Sequence, residues 1–120
     1  MRSTSPLSGV PVVSSVPPIE FEVAADVALV AAVLRKDRKA TAELVSRHSG
    51  VVYGYVRRRL APRADRVDDL VQEIFLAVLK GLGAYAGQAS LRSWILGISR
   101  RRVADHYRMT LRLQHPTLTT

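Results

Sequence analysis

Three groups of side chains have the types and spacing to do chemistry. Asp68, Asp69, Gln72 and Glu73 form an acidic cluster within six residues. The stretch GLGAYAGQAS, Gly81 to Ser90, places three glycines around Tyr85 and ends with Gln88 and Ser90. Beyond it come Arg92, Trp94, Arg100, Arg101, Arg102 and Arg108. A close set of carboxylates is one arrangement that acid–base catalysis uses. These acids, however, fall on the polar side of an apolar stripe, with no pocket or positioned partner implied. An acidic helix face of this kind suits a partner helix carrying Arg or Lys; a solvated face is the plain alternative. Arginines along a helix reach phosphates and anchor a strand. A glycine-rich loop can wrap an extruded base and read its edge, and Tyr85 and Trp94 offer rings for stacking unpaired bases. Trp94 also lies on the apolar stripe of its segment, and the pattern assigns it to the core; Tyr85, in the loop, is the freer ring.

Other chemistries are poorly supported. His48, His106 and His115 are scattered, and no HExxH or comparable ligand spacing occurs, so neither a metal nor another cofactor is expected. The loop GLGAYAG does not follow a strand and no GxxxxGK[ST] is present, which argues against a nucleotide-binding fold. The chain is not expected to be an enzyme.

The elements that would position these groups are helices. Val67, Leu70, Val71, Ile74, Phe75, Val78 and Leu82 form the clearest amphipathic stripe. Asp65 is the expected N-cap of that helix, with Asp68 imitating a capping box. Ser90 is the expected N-cap of the last long helix, which has Leu91, Trp94, Ile95 and Ile98 on one face and Leu96, Val103 and Tyr107 opposite. Upstream, Val27, Val30, Val33 and Leu34 recur at helical spacing from Val23 onward, with Asp26 as an acid near the helix start. Asp37 is the expected cap of a second helix, which Ser49-Gly50 breaks or kinks before Val51, Val52, Tyr55, Val56 and Leu60 resume the period. Arg57, Arg58 and Arg59 complement that helix's C-terminal dipole. His48 reads as a solvated residue near a helix end. No strand or repeat is evident. The expected class is all-α, a compact bundle of four to five helices.

Composition agrees with one basic domain. The 120 residues carry 18 Lys+Arg against 10 Asp+Glu, a formal charge of +8, which favours a polyanionic partner. With 48% hydrophobic residues a core is feasible, and the absence of Cys excludes disulfides and thiolate chemistry. No apolar run approaches the roughly 18 residues that cross a bilayer, and the interrupted start MRSTSPLSGVPVVSS does not read as a secretory signal; the cytoplasm is the expected location. Residues 1–22, with Pro6, Pro11, Pro17 and Pro18, read as a tail; residues 23–108 as the domain; and residues 109–120, with Pro116, as the start of a linker.

The run DDLVQEIFLAVLKGLGAYAGQASLRSWILGISRRRVADHYR, preceded by DVALVAAVLRKDRKATAELVSRHSGVVYGYVRRRL, resembles domain two of bacterial RNA polymerase sigma factors of the extracytoplasmic-function class. The resemblance covers about residues 24–108 and rests on three features in order: DLVQEIFL, the glycine-rich loop, and the Ser-Trp helix ending in arginines. It implies that Asp68, Asp69, Gln72 and Glu73 dock on the clamp helices of the polymerase β′ subunit. It implies that the loop from Gly83 to Ser90, with Tyr85, Gln88 and Ser90, captures a flipped base of the non-template strand at the minus-ten element. The helix carrying Arg92, Arg100, Arg101 and Arg108 would then hold that melted single strand. An anti-sigma protein is a further partner such a domain has. Three positions depart from the family: Thr41 and Val45 where aromatics are frequent, and Arg101 where Asn is frequent. The family's second DNA-binding domain does not appear, and the chain is expected to be a piece of a longer protein. Two other readings stay open on the residues alone. One is a sigma-like module that binds polymerase or an anti-sigma protein without initiating. The other is a basic helical domain binding duplex nucleic acid without sequence choice.

Overall fold

A computed structural model describes residues 18–114. Four helices occupy almost all of it: α1 (Pro18–Leu34), α2 (Arg38–Leu60), α3 (Val67–Gly81) and α4 (Leu91–Gln114), with a 3₁₀ turn at Leu82–Ala84 after α3. No strand occurs among the described residues. Helix α1 packs on α2, α2 on both α3 and α4, and α3 on α4, so α2 is the central element of the bundle.

Helix α1 begins at Pro18, five residues before the expected start at Val23. A proline tolerates the first helical position because its missing N–H has no helical partner there. Residues 1–17 of the expected tail lie outside the described residues. Of the α1 apolar positions, Val30 and Val33 are buried with Leu29, whereas Val27 and Leu34 are exposed. The helix ends in a Schellman turn: Asp37 donates its N–H to Ala32 O (3.2 Å) and Lys36 to Val33 O (2.9 Å). Lys36 takes the left-handed position of that turn, φ 70°, where glycine is the usual occupant.

Asp37 then caps α2 as expected, accepting from Lys39 N at 2.9 Å and Ala40 N at 3.2 Å. The expected break at Ser49-Gly50 is absent. α2 runs through it, because the buried row Ala40, Leu44, His48, Val52, Val56, Leu60 keeps its period across the pair. Burial at every fourth residue outweighs one glycine, whose helix cost is only about 1 kcal/mol. At the end of α2, Arg57 lies over Tyr53 (5.8 Å) and Arg59 over Tyr55 (4.9 Å), and the Tyr107 hydroxyl of α4 donates to Arg59 O. That part of the arginine triplet is structural.

Every residue of the α3 stripe is buried, from Val67 to Leu82. Its cap differs from expectation. Arg66 holds the N-cap position without a side-chain bond, while Asp65 lies 3.9 Å from Arg63. Asp68 and Asp69 in the first turn still complement the helix dipole. In α4 the buried row is Leu91, Ile95, Ser99, Val103, so Val103 joins Leu91 and Ile95 rather than lying opposite them. Ser99 is admitted to this row because its hydroxyl donates to Ile95 O (2.9 Å). The helix continues to Gln114, past the expected linker start at Met109; His115 and Pro116 lie outside the described residues.

Candidate functional site

The four acidic and amide residues expected to act together are divided between two flanks of α3. Asp68 and Gln72 edge an apolar groove of about 380 Å³ between α2 and α3, with Val45, Tyr53, Phe75 and Leu79 among its walls. Asp69 and Glu73 turn to the other side. Asp69 sits 3.6 Å from Arg66, and Glu73 shares a small cavity with Arg66, Arg102, Asp105 and His106 of α4. All four are exposed. Between the flanks stands Leu76, 62% exposed on an otherwise well-buried helix. Sequence reasoning passed over it. The signal was there, since Leu76 and Leu79 are the two leucines of α3 that fall off the stripe. Tyr53 was also missed as part of this surface. The Asp68 carboxylate it faces raises its hydroxyl pKa above the ordinary value, burial adding to the effect. Val45, where the resemblance led one to expect an aromatic, is part of the groove wall.

The loop is built differently from expectation. Tyr85 is buried, only 7% exposed, and its hydroxyl donates to Ala89 O at 2.7 Å. It is therefore not a free stacking platform. It braces the loop from inside, because a phenol ring at the end of the 3₁₀ turn finds apolar cover below and a backbone acceptor four residues on. Burial and then the charge of Asp26 raise its pKa. Trp94, assigned to the core, is half-buried and meets Tyr85 edge-to-face with ring centroids 5.7 Å apart. Gly87 adopts φ +81°, a conformation L side chains rarely take. Gln88 is exposed; its Oε1 accepts from Ala86 N (3.0 Å), which leaves the amide N–H₂ as the donor this side chain offers. Ser90 caps α4 as expected, its Oγ accepting from Ser93 N at 3.1 Å.

The arginines divide as well. Arg92 is exposed at the first turn of α4 and lines a cavity of about 260 Å³ with Asp26, Arg47, His48 and Ser90. Arg101 and Arg102 line an open groove of about 650 Å³ with Trp94, Gly97 and Ile98. Gly97, Gly81, Ala77 and Ala84 keep this groove open by having little or no side chain. Arg100 is exposed. Arg108 is exposed but pairs with Asp105 one turn earlier, so part of its charge is met within α4. Arg102 belongs with the groove.

His48 departs from its expected role. It lies inside α2, is 6% exposed, and its Nε2 has no hydrogen-bond partner. Burial holds its pKa below the ordinary histidine value; the nearby Asp26 carboxylate opposes this, and Arg47 and Arg92 reinforce it. Among the described residues no group of three or more potential metal ligands gathers, and no helix is long and apolar enough to cross a membrane.

One domain thus carries an acidic, partly apolar surface on α3 and a loop with a cationic groove on α4. The sequence is similar to those of known proteins. The Sigma-70 region 2 profile matches residues 44–112, from within α2 almost to the end of α4. The ECF RNA polymerase sigma factor SigC of Mycobacterium tuberculosis is 44% identical over 41 residues, 34% of this chain and 22% of that protein. The ECF RNA polymerase sigma factor BldN of Streptomyces coelicolor is 33% identical over 70 residues, 58% of this chain and 26% of that protein. RNA polymerase sigma factor YlaC of Bacillus subtilis is 27% identical over 79 residues, 66% of this chain and 45% of that protein. The chain therefore spans less than half the length of each of these relatives. With the profile covering more than half of the chain and three of the four helices, the chain belongs to the Sigma-70 region 2 family.

Proposed function

We propose that this domain serves an RNA polymerase sigma factor in transcription initiation. In this reading α3 docks on the β′ clamp helices of the core enzyme, while the loop and α4 hold the non-template strand of the minus-ten element. The observation that carries the docking half is Leu76, an exposed leucine on the wall of the apolar groove, on the same helix as Asp68, Asp69, Gln72 and Glu73, which precede it by one to two turns. An apolar anchor with a polar rim is the usual anatomy of a specific protein interface. A basic partner helix would meet the carboxylates and cover the leucine together.

On the strand side, Arg92, Arg100, Arg101 and Arg102 supply phosphate contacts, which position but do not specify. Gln88 and the exposed backbone of the loop supply donors and acceptors for one extruded base. Tyr85 serves this purpose from below, as a brace. Arg101 in place of the family's frequent Asn strengthens phosphate attraction at the groove and changes which base edge that position can read. No step here is catalytic; the domain would direct the enzyme and stabilise the open strand.

The docking half is tested by capture of core polymerase. Leu76→Arg and the pair Asp69→Arg with Glu73→Arg are each expected to reduce capture at least tenfold, about 1.4 kcal/mol or more. Far-UV circular dichroism should stay unchanged, since all three residues are exposed. Undiminished capture by both variants would remove α3 from the interface. Capture of an anti-sigma protein alone, without polymerase, would favour the non-initiating reading.

A further inference from the structure

Asp26 is a buried carboxylate with a task outside its own helix. It stands in the middle of α1, where it can cap nothing locally, and is 8% exposed. Its expected role at a helix start fails, because α1 begins at Pro18. A buried carboxylate is costly unless hydrogen-bonded. Here Oδ2 accepts the N–H of Leu91, 65 residues away, at 2.8 Å. That N–H belongs to the first residue of α4, one of the donors a helix leaves without an intrahelical partner. The negative charge also sits at the positive end of the α4 dipole. Ser90 satisfies Ser93, Asp26 satisfies Leu91, and the helix start is capped from two directions.

The same helix supports the loop at a second point. A Cβ on Gly87 would come within 3.2 Å of Val27 Cγ2 and 3.4 Å of Val23 Cγ1, so the loop backbone lies directly on α1. Val23, Asp26 and Val27 are one turn of α1, and they underlie Gly87 and Leu91 on either side of Gln88. Tyr85 closes the loop internally through Ala89. Ala86, Gln88 and Ala89 remain exposed on the outer side.

We infer that Asp26 is a positioning residue for strand recognition: its carboxylate fixes the entry of α4 and, with Val23 and Val27 beneath Gly87, sets the loop shape that presents Gln88 to a base. The inference rests on the reading of the loop as the base-holding element. It makes α1 part of the recognition apparatus although α1 precedes the residues that the family profile matches.

The test compares Asp26→Ala, which removes the acceptor, with Asp26→Asn, which keeps a carbonyl acceptor of the same reach. Three quantities are read on the full chain. They are exchange of the Leu91 amide by NMR, emission of Trp94 (the only tryptophan), and the affinity ratio for a single strand carrying the recognised base over the same strand with an abasic site there. Asp26→Ala is expected to speed Leu91 exchange about fivefold or more, to shift Trp94 emission to the red, and to bring the affinity ratio towards unity. Asp26→Asn is expected to restore all three towards the parent, which a general loss of stability would not do. Gly87→Ala should lower the affinity ratio while Leu91 stays protected, because it disturbs the loop without touching the cap. A folded Asp26→Ala with parental Leu91 exchange and parental affinity ratio overturns the positioning role and leaves base capture standing. A parent chain that shows no affinity ratio overturns base capture and the recognition role with it, while Leu91 exchange still reports the cap. Should Asp26→Ala not fold, Asp26→Asn decides: a protected Leu91 amide with a parental ratio supports the acceptor role, and an unprotected amide overturns it.

Discussion

At the scale of single residues, the structure reassigns those whose chemistry is ambiguous in the sequence. Tyr85, Asp26 and His48 each have two ordinary uses, exposed or buried, and only packing chooses between them. His48 carries a prediction. Its folded-state pKa lies below the ordinary 6.5 because burial penalises the imidazolium, Arg47 and Arg92 acting in the same direction and Asp26 against it. Glu22 from α1 lines the same cavity. A depressed pKa means that the unfolded chain binds the proton first. The stabilising contribution is therefore fully present above about pH 6.5 and is lost as pH falls through the folded-state value. Urea unfolding at about pH 7.5 and about pH 5.5 should show a drop in stability for the parent, and a smaller drop for His48→Leu. Equal drops would show that the imidazole takes no part.

At the scale of elements, capping and core burial make separable demands. Lys36 occupies a left-handed position at the end of α1. Lys36→Gly relieves that strain and should raise unfolding stability by roughly 0.5 kcal/mol, the left-handed penalty less the entropy glycine loses on folding. Ile74, fully buried at the centre of the α3 stripe, is the opposite case. Ile74→Ala should cost about 2–5 kcal/mol by chemical denaturation, through lost transfer energy and the cavity left behind. A cost below about 1 kcal/mol would mean that α2 and α4 collapse onto the space. The α3 stripe, the Asp37 cap and the Ser90 cap were legible from spacing and residue type alone. The Asp65 cap and the Ser49-Gly50 break were not. The break is a local preference of about 1 kcal/mol, which the continuous burial of the α2 face overrides; Asp65 lies one residue before the N-cap, beside Arg63.

At the scale of the whole molecule, the question is how the +8 charge is arranged. Part of the α2 triplet lies over tyrosines and Arg108 meets Asp105, whereas Arg101 and Arg102 line an open groove with Trp94. The domain should therefore prefer a single-stranded non-template oligonucleotide to the same sequence as duplex, measured by fluorescence anisotropy. Arg100→Ala and Arg101→Ala should each weaken binding across all sequences and reduce the slope of log K against log salt by about 0.7. Gln88→Ala should instead narrow the difference between sequences with little change in slope. Equal affinity for duplex and single strand would favour a basic helical domain without sequence choice.

What the amino-acid order determined by itself is the helical class, the stripe and two caps, the glycine-rich loop and the arginines that follow, because these depend on periodicity and on interactions within a few residues. The family resemblance follows from the same local order. What only the tertiary structure decided is which face each polar group serves. It divided Asp68 and Gln72 from Asp69 and Glu73, turned Tyr85 inward, left Leu76 outside, and joined Asp26 to Leu91 across 65 residues. Those outcomes depend on how α1, α3 and α4 settle around α2. Contacts between distant parts of a chain leave no period in the sequence from which to read them.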